Sequence, residues 1–224
     1  MSAENLALWD SVFTTDPAHV KPITGKTYRG HSPKPYWIIQ RATEVFGPIG
    51  IGWGFSVKSE RFERVSDTDT LHTATVSVWY VWQGKRSEAF DHVGGTMAAY
   101  RKADGSKMIV DEDAAKKSVT DALVKALSCL GFCGDIFSGM WDDSKYVEQA
   151  GQFYASKARE QDPQRAEWLT VQHGLIFGAA NVGELRRVVS EAVAFAQAQD
   201  DGLAVDQINQ WADEKRAQAK PKAA

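Results

Sequence analysis

DAAKKSVTDALVKALSCLGFCGDIFSGMW, Asp113–Trp141, is the stretch that decides the fold. Its apolar residues fall at Ala115, Val119, Ala122, Leu123, Ala126, Leu127 and Leu130. That i, i+4, i+7, i+8 spacing predicts one helix with a single buried stripe. Lys117, Asp121, Lys125 and Ser128 project from the opposite side, at about 100° per residue. Gly131, just past the stripe, predicts the C-cap. One face is buried, and the other offers a mixed, partly basic surface.

Upstream the period changes to two. Residues 52–65 alternate Trp53, Phe55 and Val57 with polar partners, which predicts a half-buried strand. Thr70–Trp82, TLHTATVSVWYVW, is rich in β-branched and aromatic residues and predicts a second strand. Gln83-Gly84-Lys85 predicts a turn, and Ser87–Tyr100 a third strand with an interruption at Gly94-Gly95. A helix over Tyr36–Phe46, stopped by Gly47-Pro48, precedes the strands. Before it, a short helix near Glu4–Phe13 leads into irregular chain. The fold class expected is α+β: a helix, a three-stranded antiparallel sheet and the central amphipathic helix, a β-β-β-α core. Beyond Trp141 the pattern is helical, with candidates at Ser144–Gln161, Pro163–Phe177, Val182–Ala198 and Val205–Ala219. The division expected is a core over 1–160 and a helical extension over 161–224.

The chain has 224 residues, 43% of them hydrophobic, enough for a real core. Its net charge of −3 and pI near 6.0 exclude binding to nucleic acid through bulk positive charge. Any such contact needs a local patch or a groove made by assembly. Cys129 and Cys133 make no disulfide framework and are expected to pack as small buried groups. No apolar run approaches the roughly 18 residues of a membrane span. The start MSAENLALWD lacks the basic and apolar regions of a secretion signal, so a cytoplasmic location is expected.

Catalytic chemistry finds no footing. Gly25-Lys26-Thr27 lacks the glycine that a phosphate loop needs five residues earlier, where Val20 stands. His19, His31, His72, His92 and His173 are scattered, without metal-ligand spacing. Asp111-Glu112-Asp113 stands at a helix start, where acids complement the helix dipole. A non-enzymatic protein is expected, with no cofactor and no metal.

The helix quoted above carries a resemblance. Thr120, Asp121, Ala122, Leu123, Lys125, Ala126, Leu127 and Gly131, then Gly134 and the segment Trp141–Tyr146, resemble the helix and acidic-aromatic turn of the Rad fifty-two superfamily of single-strand annealing proteins. Trp37–Gly47, followed by Gly52-Trp53, resembles that family's preceding helix and first long strand. The two matches cover about residues 20–150 and point to the phage or prophage branch. The resemblance implies ATP-independent binding of single-stranded DNA by a ring or helical homo-oligomer. It also implies strand annealing through a complementary-strand duplex intermediate, for recombination and repair in a host bacterial cytoplasm.

In the family the corresponding helix lines the inner DNA groove, which singles out Lys125, with Lys116 and Lys117. Lys85 and Arg86 in a hairpin turn, and Arg101, Lys102 and Lys107 before the helix, are further candidates, since such side chains neutralise phosphates. The sequence departs from the family at Val124, where a second basic residue is common, at Ser128, and near Trp37. Lys34 or Arg41 could supply the missing charge. Tyr36 and Trp37 either stack on bases or anchor their helix in the core. The basic end after Ile208 and Trp211, with Lys215, Arg216, Lys220 and Lys222, suits DNA, an acidic tail on a host single-strand-binding protein, or a frayed terminus. A phage exonuclease is a further partner class. The missing second basic residue at Val124 and the acidic pI motivate an alternative: a non-catalytic phage structural or protein-interaction module on the same fold, without DNA binding.

Overall fold

The computed structural model describes residues 3–24, 29–102 and 105–218. The Gly25-Lys26-Thr27 stretch and the lysines at 220 and 222 lie outside the described residues. The chain divides into two compact units, 1–150 and 151–224.

In the first unit a short helix, α1 (Ala7–Val12), leads to β1 (Val20–Pro22) and β2 (His31–Pro33). These pair antiparallel where irregular chain was expected. Two three-residue strands are too short to show a period in sequence. Then come α2 (Pro35–Phe46), β3 (Trp53–Arg64), β4 (Thr70–Trp82), β5 (Lys85–Arg86), β6 (Phe90–Arg101), β7 (Met108–Val110) and α3 (Ala114–Ser128). The sheet runs β3-β4-β6-β7, with β5 folded back on the end of β4. It is therefore larger than the three strands expected, because β5 and β7 are only two and three residues long.

α3 lies across β4 and β6 on one face of the sheet. It buries Ala114, Ser118, Ala122, Leu123, Ala126 and Leu127. The stripe is thus turned slightly from the expected one, with Ala115 and Val119 only half-buried. Ser118 tolerates burial because its hydroxyl donates to His72 O (3.0 Å) and to Ala114 O (2.9 Å). Opposite it, β6 runs through Gly94 without interruption. A Cβ at Gly94 would stand 2.3 Å from Ser118 O and 2.3 Å from Ala122 N. The glycine pair marks a close helix–strand approach, not a break.

β3 departs from half-burial beyond Trp53. Phe55 and Val57 share the face of buried Val78 and Val76 across the register, yet both are exposed. α3 covers β4 and β6 and barely reaches β3, so nothing shields them. α2 presents Trp37, Ile38, Ala42 and Phe46 to the core, a helical i, i+4, i+8 stripe. Phe46 meets Tyr80 (4.9 Å between centroids) and Phe132 (5.7 Å), tying α2, β4 and the chain after α3 together. Burial of a large side chain such as Phe46 or Phe132 stabilises by about 1.5–3 kcal/mol.

After α3, Gly131 takes φ +103°, and a Cβ there would lie 2.8 Å from Trp9 Cα. Both conditions admit only glycine. Cys133 is buried as expected, and burial pushes its thiol up to about 12. Cys129 is exposed, against expectation, because the C-cap turn of α3 rotates it away from the stripe. α4 (Gly134–Phe137) follows, and α5 (Ser144–Glu160) spans the division between the units.

The second unit holds α6 (Pro163–Gly178), α7 (Val182–Ala198) and α8 (Gly202–Gln218), packed on one another. Its core gathers Ile176, Leu185, Val188, Val189, Ala192, Ile208 and small alanines. The terminal helix is not frayed over its described length: Ala204, Ile208 and Ala212 are buried. A salt bridge between Arg165 and Asp201 (2.5 Å) links α6 to the start of α8, where Asp201 also accepts from Ala204 N (3.0 Å). No helix among the described residues is long and apolar enough to cross a membrane.

Candidate nucleic-acid interface

A groove of about 570 Å³ runs between the β2–α2 junction and the outer side of α3, lined by Pro33, Pro35, Lys116, Lys117, Thr120 and Asp121 among others. Pro35 starts α2 at its first turn, where its missing N–H and fixed φ are tolerated. That start leaves Tyr36 standing out at 85% exposed. Lys34, the N-cap residue, turns back and donates to Ala18 O (3.0 Å). Lys116 and Lys117 thus line the groove, while Lys34 and Tyr36 flank its lining residue Pro35 in the chain.

The electrostatics of this groove are nearly balanced. Lys117 Nζ donates to Asp111 Oδ2 (2.6 Å) and Lys116 Nζ to Asp113 Oδ1 (2.9 Å). The Lys117 ammonium holds the Asp111 carboxyl below the usual carboxylate range, and Asp111 in turn raises Lys117. Asp113 occupies the N-cap position without a side-chain capping bond, its carboxylate being turned to Lys116. The acids before α3 serve as lysine partners more than as dipole complements. Asp121, also lining the groove, accepts from Gly95 N (3.3 Å). The sequence held this pairing in plain view, with Asp111 six residues before Lys117 and Asp113 three before Lys116.

The other candidates are dispersed. Lys125 Nζ lies over the Phe137 ring at 4.5 Å, a cation–π contact. Trp37 is 7% exposed and stacks on His19 (5.5 Å, 13°), so it anchors α2 and offers no face to a base. Arg41 pairs with Glu44 and reaches Ser11 O (3.4 Å), an internal tie. Lys85 and Arg86 form β5, with Arg86 over the Trp79 ring at 3.9 Å. Arg101 donates to Gly105 O (3.2 Å) beside exposed Lys102 and Lys107 in the β6–β7 hairpin. Arg101 N also donates to Asp69, and this bond is the main reason the Asp69 carboxyl is held low. β5 sits at the Trp82 end of β4 and the β6–β7 hairpin at its Thr70 end. At about 3.3 Å per residue these two clusters stand roughly 40 Å apart. No single basic stripe joins them.

A second polar centre escaped the sequence. Asp135 is fully buried and its carboxylate accepts from Thr15 N (2.8 Å), Thr15 Oγ1 (2.5 Å), Ile136 N (2.8 Å), Trp141 Nε1 (3.0 Å) and Tyr146 OH (3.0 Å). Five donors satisfy one buried anion, and the centre joins the N-terminal arm to the chain after α3. Among the described residues no group of three or more His, Cys, Asp or Glu side chains could hold a metal ion. No protein-family model matches this sequence, and no curated protein matches it.

Proposed function

We propose that the protein binds single-stranded DNA along the α3 groove and promotes annealing of complementary strands, without ATP, as a homo-oligomer. The observation that carries this proposal is the groove itself. It is backed by a β-β-β-α core, holds two lysines, and is flanked at its α2 end by an aromatic ring that is almost wholly exposed. Exposed ion pairs contribute little to stability, so a phosphate oxygen can displace the carboxylates of Asp111 and Asp113 from Lys117 and Lys116. Tyr36 then offers a face for one base, a contact that tolerates any sequence. Phosphate contacts hold the backbone and leave base edges free for an incoming strand. A weak patch on each subunit becomes strong when repeated along an assembly.

The pairing of both groove lysines favours a second reading, a protein-interaction module on the same fold that does not bind DNA. Fluorescence anisotropy with a labelled oligonucleotide separates the two. Salt-sensitive binding of any sequence, weakened by Lys117→Ala and Tyr36→Ala, is expected for the annealing protein. No binding at low salt would leave the interaction module. A host single-strand-binding protein and a phage exonuclease are the partner classes to test with it, in a host bacterial cytoplasm.

A further inference from the structure

The free edge of β3 carries a pattern that DNA binding does not use. Among the described residues β3 pairs with β4 and, at Trp53 only, bridges Ile49, so beyond Trp53 its other edge offers unpaired backbone groups. The strand ends in Glu60-Arg61-Phe62-Glu63-Arg64. Glu60 stands opposite Ala74 and Phe62 opposite His72, both buried, so Glu60 and Phe62 lie on the α3 face. Arg61 stands opposite Thr73 and Glu63 opposite Leu71, so these two lie on the outer face. Phe62 is 65% exposed because α3 does not cover it.

This segment is its own charge complement. Laid antiparallel against itself with Phe62 on a two-fold axis, Arg61 meets Glu63 of the second copy and Glu60 meets Arg64. An axis perpendicular to the sheet keeps each face with the same face, so Arg61 and Glu63 pair directly, while Glu60 and Arg64 pair once Glu60 leaves His72 (3.7 Å) and Arg64 leaves Ser66 O (3.1 Å) and Asp67 O (3.0 Å). Phe62 meets Phe62 on the axis. Edge charges usually prevent strand addition; here their signs complement each other in this one register. The opposite edge is largely blocked along β6, leaving only the three-residue strand β7 at the border. Gly95 N donates to Asp121 (3.3 Å), Val93 N donates to His92 Nδ1 (3.0 Å), and β7 covers Ala99–Arg101.

We propose that two copies of the chain associate through β3, antiparallel and centred on Phe62, giving one sheet that runs through both. The contact is isologous, made by the same surface of each copy. The two Arg61–Glu63 ion pairs, one within each strand, are exchanged for two across the axis.

A charge swap tests this in the full-length protein. Arg61 and Glu63 side chains are 72% and 38% exposed, so their substitution leaves the fold intact. In R61E the pair across the axis becomes two carboxylates, and in E63R two guanidiniums. Each single variant is expected to weaken self-association about tenfold in sedimentation equilibrium, since two cross-strand pairs turn repulsive. Mixing R61E with E63R restores opposite charges and is expected to restore association, as is the double variant R61E/E63R. Wild-type protein that stays monomeric across the micromolar range overturns the proposal. So do single variants that associate like wild type, or a mixture that does not recover. The contact stands apart from the groove: failure of DNA binding with the charge swap intact sinks the annealing proposal alone.

Discussion

Gly94→Ala tests the central packing of the first unit. The added methyl would stand 2.3 Å from Ser118 O, 2.3 Å from Ala122 N and 2.9 Å from Ala122 Cα. All three are backbone atoms of α3, so no side chain can swing aside. The helix must lift by about 1 Å to reach ordinary contact distance, and such overpacking costs typically 1–3 kcal/mol. The lift also stretches the bond from Ser118 Oγ to His72 O, now 3.0 Å, beyond hydrogen-bonding range. Losing that buried bond adds about 1 kcal/mol. The sum is about 2–4 kcal/mol. Gly95 is the internal control. A methyl there meets nothing nearer than His72 O at 3.5 Å. Gly95→Ala restricts the unfolded chain and is expected to change stability by no more than about 1 kcal/mol, in the stabilising direction. Urea denaturation followed by circular dichroism measures both. A Gly94→Ala variant within about 0.5 kcal/mol of wild type, the usual range for a surface change, would refute the close approach of α3 and β6.

Asp135→Ala leaves buried donors on Thr15, Trp141 and Tyr146 without an acceptor, and a loss of about 3–5 kcal/mol is expected in the same denaturation assay. A loss below about 1 kcal/mol would show that water or relaxation replaces the carboxylate. Hydrogen bonds from Arg165, chiefly, and from Ala204 N hold the Asp201 carboxyl below its usual range. A depressed folded value gives stability that is present above the unfolded value and lost as pH falls through the folded one. Amide-exchange protection in α6 and α8 should therefore fall below about pH 4 and stay level between about pH 5 and 8; an unchanged pattern at acid pH contradicts the role of this pair. Asp111→Asn releases Lys117, so single-strand affinity should rise at low salt and its salt dependence steepen by up to one phosphate contact. Unchanged affinity would place Lys117 away from the DNA.

The long periodic elements were legible in the sequence. α3, α2, β4 and α7 follow from hydrophobic spacing, which reports directly on burial. The failures have separate physical causes. β1, β2, β5 and β7 are too short to show a period. Phe55 and Val57 fit a buried pattern, but burial depends on what crosses their face of the sheet, and α3 barely reaches β3. Gly94 looked like an interruption because glycine weakens a strand, while its use here is to admit a helix backbone. At the candidate interface, charge counting found the lysines and missed their partners, because an aspartate three or six residues away also fits a helix-dipole role. Asp135 gave little local signal: apart from the adjacent Ile136 N, its donors come from residues 15, 141 and 146, and Thr15 is 120 positions distant.

That distance has a consequence for the nascent chain. Asp135 leaves the ribosome 120 residues after Thr15. At about 5–20 residues per second the interval is roughly 6–24 s. Throughout it the N-terminal arm has no acceptor for Thr15, and the loop to be closed is among the longest the chain offers. Docking of the arm is thus a late event in biogenesis, completed only after α3 and the turn behind it have emerged, and until then Val12 and Phe13 are surfaces for a chaperone to hold.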